Sequence, residues 1–148
     1  MTQQLLQLYK MGRTRLSNQF PNIQEKDLVK KLHPKSNSIG FLLRHISEVE
    51  NLFAKNVFGL DVRVKALTIG KGIHDSGKFI HLEEELKELS ASEATLERAI
   101  LMQKEEDWDK TVTTAEFGTV IKTEALARIV SHTAYHTGQI GLILKYDA

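Results

Sequence analysis

The sequence predicts an all-α protein: a four-helix bundle with a long crossover between helices 2 and 3 and a small β-hairpin before helix 4. Three observations carry that prediction. Four segments place apolar residues at intervals of three and four, the period of an amphipathic helix. A short β-branched stretch lies astride AEFG, as a small hairpin would. The 148 residues, 41% hydrophobic and 26% charged, fit one soluble globular domain, read here as residues 1–148. Each apolar stripe needs the others to bury it, and a bundle is the arrangement that does so.

Thr2 is placed to cap a first helix whose apolar positions are Leu5, Leu8, Tyr9, Gly12, Leu16 and Phe20, and Pro21 ends it. Between Asn22 and Asn37 a short helical turn can fold Ile23, Leu28 and Leu32 onto the bundle before Pro34 breaks it. Asn37 or Ser38 caps the second helix. Its stripe is Ile39, Leu42, Leu43, Ile46, Val49, Phe53 and Val57, and Gly59 closes its end. From Leu60 to Phe79 the pattern is lost, as expected for a surface crossover of about twenty residues, a length that is often functional. Within it, Gly72 to Lys78 spells GxxxxGK. Phe79 stands where a phosphate-binding loop needs Ser or Thr, and no buried strand precedes it, so a flexible loop is the better reading.

The third helix is expected from near Ile80 to about Lys104, with Leu82, Leu86, Leu89, Leu96 and Ile100 inward and Glu83, Glu84, Glu85, Lys87 and Glu88 forming a solvated face. Ser90 and Ser92 weaken its middle, where a kink is expected. Residues 107–122 supply the hairpin, with Trp108 as a packing anchor. Thr123 caps the last helix, whose stripe runs through Leu126, Ile129, Val130, Thr133, Ile140, Ile143 and Leu144.

Composition excludes several functions. Twenty basic against 19 acidic side chains give a net charge of +1, far from the strongly basic surface that nucleic acid requires. The absence of cysteine removes disulfides, thiolate ligands and a cysteine nucleophile, so any metal is held by nitrogen and oxygen. No apolar run approaches the length needed to span a bilayer, and MTQQLLQLYK lacks a signal-peptide pattern. No membrane partner and a cytoplasmic location are the expectations.

The chemistry points to histidine. In SHTAYHTGQI, His132 and His136 are four residues apart, which puts both imidazoles on one helix face, one turn apart, where they can share a metal ion. They lie on the edge of the fourth stripe. His45 lies on the flank of the second, beside Leu42, Val49 and Leu52. Three imidazoles from two helices would form a nitrogen site with positions left open for water or substrate. The plain alternative for each is a hydrogen-bonded core or surface histidine. His33, before a proline, and His74 and His81, in the crossover and at a helix start, read as surface residues. The zinc-protease HExxH is absent because Thr133 follows His132. No glutamate has a histidine three residues later, as a di-iron bundle requires, and no serine sits in GxSxG. Glu48, one turn after His45, is the nearest acidic residue and is the candidate catalytic proton acceptor or supporting partner; Ser47, Tyr135 and Thr137 are weaker candidates.

SIGFLLRHISEVENLF, the long crossover and SHTAYHTGQIGLI together resemble the DinB/YfiT-like superfamily of metal-dependent enzymes, over most of the chain. The resemblance implies a four-helix bundle in which three histidines, here His45, His132 and His136, bind a divalent metal, most commonly zinc or nickel. It implies a close helix approach at Gly138 and support of the site by hydrogen bonding at Gln139. It further implies a homodimer, a small-molecule substrate, and hydrolysis or thiol transfer, in some members with a low-molecular-weight thiol cofactor. A non-catalytic metal-binding stress or interaction protein on the same dimeric bundle is the alternative.

Overall fold

The computed structural model describes residues 1–146; the last two residues of the domain expected over 1–148 lie outside the described residues. Four helices, α1 (Thr2–Ser17), α2 (Ile39–Asn56), α3 (Leu82–Leu101) and α4 (Lys122–Tyr146), form the bundle. Strands β1 (Thr111–Thr114) and β2 (Gly118–Ile121) form an antiparallel hairpin before α4, with Val112 opposite Val120. Helix α2 packs most extensively on α3, and α1 on α4. No helix among the described residues is long and apolar enough to cross a membrane.

Helix α2 is the centre of the fold. Ser38 caps it by accepting the Phe41 amide proton at 3.2 Å, and all of Ile39, Leu42, Leu43, Ile46, Val49 and Phe53 are buried. Gly40 is required where the crossover returns: a β-carbon there would lie 1.9 Å from the Phe79 carbonyl oxygen. Short 3-10 turns at Phe20–Asn22 and Glu25–Val29 fold Ile23 and Leu28 onto the bundle, whereas Leu32 is exposed.

Two apolar clusters fill the interior. One holds Phe53, Phe58, Leu96, Ile100, Trp108, Leu126 and Ile129; the other holds Leu16, Leu28, Leu43, Ile46, Leu89, Ile140 and Ile143. Between them every helix contributes polar side chains. On the α1/α3 side, Arg13 makes two hydrogen bonds to Glu50, at 2.7 and 3.1 Å, and Glu50 also accepts from Tyr9 and Ser92; Arg13 and Glu50 are 2% and 0% exposed. Along α4, His132, Thr133 and His136 fall between Ile129 of one cluster and Ile140 of the other, and His45 of α2 meets the two histidines there. The histidines therefore sit where the apolar core is interrupted.

Several expectations are revised by tertiary contacts. Thr2 is not a cap: Met1 occupies that position, and the Thr2 hydroxyl donates to the Gln103 carbonyl and accepts from the Trp108 indole at 2.8 Å. Trp108 is fully buried, which fulfils its expected anchoring role. Helix α4 starts at Lys122, one residue before the expected cap Thr123, and Leu8 faces outward. Helix α3 is shorter than expected and continuous through Ser90 and Ser92, because Ser92 turns inward to Glu50 instead of breaking the helix. Glu85 leaves the solvated acidic face: it is 1% exposed and accepts two hydrogen bonds from Arg44 on α2.

The crossover is tied down. Asp75 accepts the Ser38 amide proton at 2.7 Å and the Gly77 amide proton at 2.9 Å, and Phe79 is buried with its ring edge against Phe41. The GxxxxGK stretch is thus an anchored loop with no strand leading into it.

Candidate metal centre

Because α2 and α4 are neighbours, His45 meets His132 and His136. Ring centroids are 5.0 Å apart for His45 and His132, 4.9 Å for His45 and His136, and 4.5 Å for His132 and His136. One ring nitrogen from each lies within 4.8 Å of the others, and this is the one such cluster of possible ligands found among the described residues. His33, His74 and His81 are exposed and stand apart from it.

The surroundings fix which nitrogen faces inward. Glu48 is buried, its Oε1 accepting from the Leu67 amide at 2.8 Å and its Oε2 from the Thr68 amide at 2.8 Å and the Thr68 hydroxyl at 2.5 Å. A carboxylate only accepts, so Thr68 gives its single proton to Glu48 and meets His45 Nδ1, 3.2 Å away, as an acceptor. His45 therefore carries its proton on Nδ1 and presents a bare Nε2. His136 Nδ1 donates to the Gln139 amide oxygen at 2.6 Å, which leaves its Nε2 bare in the same way. Outer hydrogen bonds of this kind set the tautomer and orientation of metal-binding imidazoles.

His132 differs: its Nδ1 is buried without a hydrogen-bond partner, while its Nε2 lies 3.1 Å from His45 Nε2. Either His132 lends the pair a shared proton, or both lone pairs are given to a cation. A separation of 3.1 Å suits two adjacent ligands at metal–nitrogen distances of roughly 2.0–2.1 Å. The donor set, three imidazole nitrogens, fits a divalent transition-metal ion. Burial pushes the His45 imidazole down to about 4, aided by the neighbouring His136 and opposed by hydrogen bonding to Thr68. Burial, with His136 and His45 close by, lowers His132 to about 3, and burial lowers His136 against the opposing Gln139 bond. All three rings are thereby held neutral, the state a ligand needs.

A cavity of about 230 Å³ opens beside His45 and His132, bounded by α2, Ile69 of the crossover and the hairpin tip at Thr114 to Phe117. Next to it a hollow of about 540 Å³ is lined by Phe117, Arg128, Ser131, His132 and Tyr135. Gln139 and His136 line a third hollow of about 330 Å³ with Asn37 and Leu42.

The sequence did not single out Thr68, which sits in an irregular segment where no period marks it; the crossover's length was the available signal. Of the weaker candidates, the Ser47 and Thr137 hydroxyls donate back to the Arg44 and Thr133 carbonyls of their own helices. Tyr135 is exposed beside the His136 ring. The close approach expected at Gly138 is absent, since no atom lies within 4 Å of a β-carbon built there.

Fold and cluster together define a helical bundle with a three-imidazole site between its second and fourth helices. The sequence profile of the DinB superfamily matches residues 8–140, and the chain belongs to that family. Among solved structures, the mycothiol-dependent maleylpyruvate isomerase superposes with a TM-score of 0.71 at 15% identity, over 95% of this chain and 61% of that one. The chain thus spans under two thirds of that enzyme, and the likeness is one of fold. No protein of curated function matches the sequence.

Proposed function

We propose that this protein is a metal-dependent enzyme acting on a small molecule, with His45, His132 and His136 holding a divalent cation, zinc or nickel. The observation that carries the reading is the pair of outer hydrogen bonds, from His45 to Thr68 and from His136 to Gln139, which leave bare Nε2 atoms on two of the three clustered rings. A cation so held supplies a Lewis acid that makes a bound water or thiol ionise near neutral pH. The chain's own residues do the rest. Three neutral imidazoles leave the site open to substrate on the cavity side. Gln139 and the Thr68–Glu48 pair keep the rings from turning, so Glu48 serves as a positioning residue rather than as the proton acceptor, its oxygens being already engaged.

Hydrolysis and thiol transfer are the two reactions this arrangement serves. The likeness in fold to a mycothiol-dependent isomerase supports a low-molecular-weight thiol as co-substrate. A homodimer in the cytoplasm belongs to the same reading, with no nucleic-acid or membrane partner; Leu8 and Met11, exposed on α1, offer an apolar surface for pairing. The test is a screen of the zinc- and nickel-loaded protein against ester, amide and electrophile panels, with and without thiols. Turnover that disappears in His132→Ala supports the reading. No turnover by a protein whose metal has every coordination position filled by side chains contradicts it.

A further inference from the structure

We propose that the substrate has a metal-binding head and an apolar alkyl or aryl body without an acidic group, seated in the cavity between α2 and the hairpin tip; this rests on the metal reading above. The cavity of about 230 Å³ has His45 and His132 in its wall, so a group held at their Nε2 atoms points its remainder into it. Its other walls are mainly Val49, Leu52, Phe53, Val57, Ile69 and Phe117. Val49, Phe53 and Val57 are buried, and the Phe53 and Phe117 rings lie 5.9 Å apart, which gives the slot an aromatic side.

Charge selects against an anionic body. Glu116 is the one charged residue lining this cavity, it is exposed, and it would repel an anion. Arg128 lines the adjoining hollow, where it is paired with Glu124 at 3.2 Å and covers the Phe117 ring at 5.0 Å. Moving an anion into an apolar slot without a partner is costly, whereas each buried methylene is favourable. The hairpin thus acquires a role: its tip closes one side of the slot and sets how long a body fits.

The test uses the full chain loaded with cobalt, whose visible spectrum reports ligands reaching the metal, titrated with straight-chain hydroxamates from acetohydroxamate to octanohydroxamate. Affinity is expected to rise roughly twofold to fourfold per methylene until the cavity is full, and then to level off. A hydroxamate ending in a carboxylate is expected to gain nothing over acetohydroxamate. Ala115→Trp and, independently, Asn56→Trp place bulk at the two exposed rims and are expected to abolish the gain while cobalt stays bound. A flat series on cobalt-loaded protein, an equal gain for the carboxylate-ended ligand, or an undiminished gain in both tryptophan variants overturns the apolar-body assignment alone. Failure to take up cobalt at all overturns the metal reading and this assignment with it.

Discussion

Replacing Thr68 by valine removes a hydroxyl and changes little else in shape, which isolates its two hydrogen bonds. The hydroxyl gives its proton to Glu48 Oε2 at 2.5 Å and accepts from His45 Nδ1 at 3.2 Å, in a residue only 6% exposed. A hydrogen bond to a charged acceptor is worth about 1.5–3 kcal/mol, so the metal-free variant is expected to lose about that much stability to urea. The effect on the metal is separate. Without an acceptor at Nδ1, the His45 ring is free to turn and to change tautomer, and loss of such an outer partner typically weakens metal affinity about 10- to 100-fold. Competition against a chromophoric chelator measures that loss directly. Thr68→Ser keeps the hydroxyl and is expected to stay within about threefold of the parent, since only a methyl group is lost. Unchanged affinity in Thr68→Val, or an equal loss in Thr68→Ser, would refute the tautomer argument.

Other consequences follow from the same contacts. Arg13→Met leaves Glu50 charged and fully buried, and is expected to cost about 3–5 kcal/mol in urea unfolding; the double variant with Glu50→Leu should recover much of it, and no recovery would count against the buried-charge explanation. Gly40→Ala forces a β-carbon toward the Phe79 carbonyl and should destabilise by about 1–3 kcal/mol. Gly138→Ala, in open space on α4, should be neutral or stabilising by up to about 1 kcal/mol. For the metal-free protein, His45 and His132 are held below their ordinary value of 6.5, so the unfolded chain binds more protons in acid. The stability they contribute is present above pH 6.5 and declines as pH falls toward the folded values of about 4 and 3. Urea midpoints equal at pH 7.5 and pH 5 would contradict this.

The stripe on α2 was legible residue by residue, because a helix buried on most sides keeps its period in the sequence. The pairing of His132 with His136 was legible for the same geometric reason, and His45 from its place beside Leu42 and Val49. What lay hidden is tertiary. Thr68 acts through a loop without periodicity. Glu85 reads as one more residue of an acidic face until Arg44 is brought opposite it by α2. Ser92 looked like a weak point and is instead a donor to the buried Glu50 carboxylate of α2, which Arg13 of α1 also holds. Thr2 had the right chemistry for a cap, but Trp108, far along the chain, claims its hydroxyl. In each case a local preference yields to a contact that only the assembled bundle provides.

The central claim is that His45, His132 and His136 hold one cation together. Metal analysis of the purified protein beside His45→Ala, His132→Ala and His136→Ala, with folding checked by circular dichroism, tests it most directly. The account predicts about one zinc or nickel per chain in the parent and little in any folded variant. Undiminished metal in folded His45→Ala would contradict it.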